Sequence, residues 1–151
     1  MRILFVAFII VAAITAFADD LEDLKATSVR YVAAMKAALA ISDSSDCSET
    51  IANANDYAAA KIAYYTAARK AMPALLEMAK GQATNSPYGN ELTEIFRGFG
   101  DDKDEETTEM LNAKLNRCPN SGERDQVGLA IEHAKEISER FIKDFGGLEG
   151  A

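Results

Sequence analysis

The sequence predicts an all-α domain, an antiparallel bundle of about five helices, one of them a short cross-piece, with one disulfide. Three observations carry that expectation. Apolar residues recur at spacings of three and four through most of the chain, and no segment sustains the alternation of a strand. The composition, 48% hydrophobic and 26% charged over 151 residues, is that of a single globular domain and not of a disordered chain. Two cysteines, an even number, permit one internal bridge.

The N-terminus comes first. Arg2 precedes an unbroken apolar run from Ile3 to Ile14, and Thr15, Ala16, Phe17 and Ala18 lead to the acidic pair Asp19 and Asp20. A basic start, an apolar stretch shorter than the ~20 residues that span a bilayer, and small residues at Ala16 and Ala18 predict a secretory signal over residues 1–18, cut after Ala18. Residues 19–151 then form a single helical domain. Loss of Arg2 makes that domain one unit more negative than the −8 of the full sequence. A chain this acidic lacks the basic face that a nucleic-acid binder needs. No later apolar run is long enough to span a membrane, so the expected product is extracellular and carries no stable membrane insertion.

The first helix of the mature domain is expected from Asp20 to about Ile41. Leu21, Leu24, Tyr31, Met35 and Leu39 form its stripe, with Ser28 at the position an apolar residue would otherwise fill. Small polar residues from Ser42 to Asp46 interrupt it, and Asp46 with Glu49 predicts the cap of a second helix. There Ile51, Ala54, Ala58, Ile62, Tyr65, Ala68, Met72 and Leu75 keep the helical spacing to Lys80, with Gly81 as the stop. Pro73 removes one ladder hydrogen bond, which predicts a kink near Arg69 to Met72 or two helices meeting there. A polar connection follows from Gly81 to Asn90, then a short helix from Glu91 to Gly98 bearing Leu92, Ile95 and Phe96. Asp102 to Arg117 makes the fourth helix, with Met110, Leu111 and Leu115 as its apolar face. Pro119, Asn120 and Ser121 turn the chain into a fifth, whose stripe is Val127, Ile131, Ala134, Ile137, Phe141 and Phe145, ending at Gly146.

Export exposes Cys47 and Cys118 to oxidising conditions, and their pairing tests the topology. If the short helix is only a cross-piece, the long helices run up, down, up, down and both sulfurs reach the same end of the bundle. A full-length third member would place them at opposite ends.

Residues with catalytic chemistry are sparse, and no enzyme, metal site or cofactor is expected. His133 is the single histidine, which excludes histidine-pair mechanisms and two-histidine zinc sites. No nucleophile elbow or glycine-rich phosphate cradle occurs, and Gly98-Phe99-Gly100 follows no strand. The acidic run Asp101, Asp102, Asp104, Glu105, Glu106 and Glu109 fails the calcium-loop template: from Asp102, Thr107 stands where glycine is needed and Ala113 where the bidentate glutamate belongs. The run reads instead as a solvated helix start favoured by the helix dipole.

The first two helices are rich in alanine, with Tyr57, Tyr64 and Tyr65 interspersed. Small side chains let helices pack closely, or leave room for a ligand where they do not. Three tyrosines within nine residues do not share one face, so at least one is expected near the surface, and all three are candidate contact residues.

A signal of the form Met1 to Ala18, followed by a short, acidic, alanine-rich helical chain with Cys47 and Cys118 as its cysteines, resembles small secreted proteins of arthropods, including salivary and haemolymph proteins. Insect odorant-binding and chemosensory proteins are also secreted and helical, but they normally carry six or four cysteines. The salivary resemblance implies a non-enzymatic role at a host surface, such as modulation of haemostasis or immunity. The expected partner is thus a protein met by the bundle surface, the alternative being a small apolar ligand or lipid held between the alanine-rich helices.

Overall fold

A computed structural model describes the backbone of residues 2–80, 90 and 101–145, and the side-chain surroundings of 18–76, 90 and 103–145. Within those residues the chain is all-helical, with four helices and no strand: α1 (Arg2–Leu39), α2 (Cys47–Lys80), α3 (Asp101–Leu115) and α4 (Gly122–Phe145). The short helix expected over 91–98 and the cap at Gly146 lie outside the described residues.

Helix α1 begins at Arg2, not at Asp20, because residues 3–18 contain no proline or glycine to interrupt it. No helix among the described residues is long and apolar enough to cross a membrane. Of the expected stripe, Leu24, Ser28, Tyr31 and Met35 are buried while Leu21 and Leu39 are half-buried. Val32 and Ala38 complete the inward face. Ser28 is tolerated there because its hydroxyl donates to the Leu24 carbonyl at 2.7 Å, which satisfies it within the helix.

The Asp46 cap forms as expected. Its carboxylate accepts the Glu49 N–H at 2.8 Å, and α2 runs unbroken to Lys80. Pro73 sits exposed inside that helix, so two helices do not meet there. Helix α2 is the hub: α1 packs along one side of it and α4 along another. This is why its buried set outgrows a single stripe, adding Tyr57, Ala60, Lys61, Ala67, Ala71 and Ala74 to Ile51, Ala54, Ala58 and Ala68.

Helix α3 contributes Leu111 and Leu115 to the core, and α4 contributes Val127, Ile131 and Ala134. Ser121 caps α4, its hydroxyl accepting the Arg124 N–H at 3.1 Å. Directions follow from the contacts. Asp104 meets Tyr31 and Tyr57, while Lys114 meets Ser42 and Asp43, so α3 runs with α1 and against α2. Cys47 and Cys118 are bonded, with Cα atoms 5.6 Å apart, at the end where α2 and α4 begin. Arg69 and Asp144 pair toward the other end. The order is therefore up, down, up, down, yet α2 and α4 are parallel neighbours in direct contact, because α3, about 22 Å long, covers only part of α2. Beyond its reach a second, smaller core gathers Leu24, Ala67, Ala68 and Ala71 with Leu21, Leu75 and Phe141.

Gly128 lies inside α4, and a methyl group added there meets nothing within 4 Å. Gly128→Ala is therefore expected to raise stability by about 0.5–1 kcal/mol, read as a higher urea midpoint at unchanged slope. A lower midpoint would contradict this packing.

Candidate functional site

Lysine is almost never fully buried without a partner. Lys61 is buried, with 4% of its side chain exposed, because α2 carries it one turn after Tyr57 on the face that meets α1 and α3. Its partner is Asp104, in the first turn of α3. Oδ2 of Asp104 accepts from the Lys61 ammonium at 2.7 Å, and Oδ1 accepts from the Tyr57 hydroxyl at 2.5 Å and from the Tyr31 hydroxyl. Thr108, one turn further along α3, donates to the Asp104 carbonyl at 3.0 Å and lies 2.9 Å from the Tyr57 hydroxyl. One carboxylate thus gathers three donors from two other helices, and the ammonium stands 5.7 Å from the Tyr57 ring centre.

Burial, a neighbouring tyrosine and the Asp104 charge push the Tyr31 hydroxyl far above the ordinary tyrosine range. Burial and then Asp104 do the same to Tyr57. Both rings stay neutral in the folded state while the unfolded chain ionises near pH 10. Above that pH the folded state binds more protons, so stability falls with rising pH by about 1.4 kcal/mol per unit for each ring. The expected result is alkaline unfolding in which the tyrosinate absorbance of Tyr31 and Tyr57 appears only together with loss of helix by circular dichroism. Ionisation of all five tyrosines before helix loss would exclude this environment.

From this cluster an aromatic row runs toward the far end of the bundle. Tyr31 stacks on Tyr64 with ring centres 5.1 Å apart, Tyr64 meets Tyr65 edge-on at 4.9 Å, and Phe141 and Phe145 continue the series. Of the three candidate contact residues, Tyr57 is fully buried in the polar cluster, whereas Tyr64 and Tyr65 are half-buried. His133 is exposed, its Nδ1 3.9 Å from Glu136.

The acidic run needs one correction. Glu105, Glu106 and Glu109 are exposed, as a solvated helix start requires, and Glu106 pairs with Lys103 at 2.6 Å. Asp104 does not belong with them, since its side chain turns inward to Lys61. The stripe expected in α2 gave no signal for it: that stripe passes through Ala58 and Ile62 and leaves Lys61 out, and only the burial of Lys61 in the folded bundle calls for an acidic partner. No group of three His, Cys, Asp or Glu side chains comes together among the described residues.

At its other end α3 is latched to the α1–α2 connection. Lys114 donates to Asp43 and to the Ser42 carbonyl, both at 3.0 Å, and the hydrogen bond and charge of Lys114 hold the Asp43 carboxyl below its usual range. Among the described residues, open hollows lie outside the core. One, about 760 Å³, is bordered by Ala18, Leu21, Glu22, Lys25, Ala26 and Val29 on α1. Another, about 360 Å³, lies where α3 and the start of α4 meet, beside Leu115 and Leu129. Neither sits between the alanine faces of α1 and α2, where Ala38, Ala54, Ala58 and Ala60 are wholly buried. Comparison with models of known families, with curated proteins and with solved structures finds no match to this chain.

Proposed function

We infer that this chain is a secreted, non-enzymatic binding protein that works through the surface of its helical bundle, in the manner of a salivary modulator of host haemostasis or immunity. The observation that carries the reading is the use made of the interior ionisable groups. Among the described residues, Asp104, Lys61, Tyr31 and Tyr57 occupy one another, so this buried acid–base grouping joins helices. The closely packed alanines support a surface over a ligand chamber between α1 and α2. The exposed side chains of Val29, Leu129 and Ile142 offer apolar contact points on that surface.

Export is tested on protein from its natural source, where the first residue should be Asp19, and Met1 at the terminus would overturn it. A broad panel of hydrolase substrates tests the rest. No turnover is expected, and an activity abolished by one carboxylate substitution would refute the reading.

A further inference from the structure

We propose that Tyr31, Tyr57 and Lys61 form a carboxylate-binding site that Asp104 of α3 occupies in cis, and that a ligand bearing a carboxylate on an aromatic body binds there by displacing the first half of α3. The donors are built like a receptor. Two hydroxyls and one ammonium converge on a single carboxylate, and all three side chains come from α1 and α2, which pack extensively on each other. Charge-assisted hydrogen bonds of this kind are the strong ones, and in a buried setting they discriminate sharply against an uncharged acceptor.

The occupant is held unevenly. The second half of α3 is fixed by the apolar side chains of Leu111 and Leu115, by Lys114 on Asp43, and by the disulfide at Cys118. Among the described residues, the half before Leu111 holds on through the polar contacts of Asp104 and Thr108, the buried Thr107 and the half-buried Met110 at its end. It is therefore the half that opens at lower cost, about a hinge at its covalently tied end. The Asp104 side chain is 25% exposed, so the site is reachable from the α3 side. Beside the donors the Tyr31 and Tyr64 rings, stacked at 5.1 Å, provide an aromatic wall for the body of the ligand. The site is distinct from the alanine-lined interface between α1 and α2 and does not depend on export.

The test uses benzoate, with benzamide as the uncharged control, on the full chain with its disulfide intact. In Asp104→Ala the tethered competitor is gone, and benzoate should raise the melting temperature saturably by roughly 5 °C while benzamide does not. The wild type should need at least tenfold more benzoate, because its own carboxylate must first be displaced. Adding Lys61→Met to Asp104→Ala should abolish the response. In the wild type at saturating benzoate, amide exchange should accelerate over residues 104–110 of α3 and stay unchanged in α4. Equal responses of Asp104→Ala to benzoate and benzamide would overturn the site, and unchanged exchange in α3 would overturn the displacement. Should the alanine variant fail to fold, Asp104→Asn, which keeps the side-chain size and loses the charge, takes its place with the same expected outcomes.

Discussion

Replacing both Cys47 and Cys118 by serine is expected to cost about 4 kcal/mol of stability. The bridge spans 71 residues, and closing a loop of that length removes about this much entropy from the unfolded chain. The folded state keeps its helices, since the residues around the bridge are held by other means: Asp46 caps α2, Ser121 caps α4, and Lys114 latches α3 to Asp43. The loss should therefore appear as a lower urea midpoint for the double variant, with native helix content unchanged in the absence of denaturant. Reduction of the wild type should give the same midpoint. A shift below about 1 kcal/mol would show that the bridge constrains the unfolded chain far less than its span requires.

Asp104→Ala should be the most costly single substitution of a charged residue among those described. It leaves the Lys61 ammonium buried with its charge uncompensated and strips the acceptor from two tyrosine hydroxyls. Breaking a buried pair from one side costs about 3–5 kcal/mol, and the lower end applies because Asp104 is partly exposed. The pair as a whole is worth much less than that figure suggests. Lys61→Met combined with Asp104→Leu should return to within about 1–2 kcal/mol of the wild type, because two desolvation penalties vanish together with the attraction. A double-mutant cycle by chemical denaturation measures both numbers. If Asp104→Ala proves no worse than Glu105→Ala, whose side chain is exposed, the buried pair does not exist in solution.

Much of this fold was legible in local pattern. Asp46 with Glu49 marked the start of α2, and the spacing from Ile51 to Leu75 carried it to Lys80 through Pro73, because a single proline costs one hydrogen bond that a long, packed helix tolerates. The cysteines indicated which ends meet. Less legible was the role of α2 as hub, since a stripe read at one spacing shows one face, and α2 buries a second against α4. Asp104 was the residue local pattern placed in solvent. Six acidic residues within nine positions look alike in sequence, and only a partner 43 residues earlier, on another helix, singles one of them out. Lys61 gave no better clue, because the stripe through Ala58 and Ile62 does not include it; its burial comes with the wider face that α2 buries in the bundle.

The position of the bridge also governs how the molecule would come apart. Cys47 opens α2 and Cys118 follows α3, so the chain between them is a closed ring with two tails. A protease that cuts once anywhere in that ring produces two pieces that stay covalently joined. On a gel the nicked protein would run as one species until a reductant is added, and then as two. In an oxidising fluid a first cut within the ring would therefore not release a fragment, whereas a cut in either tail would.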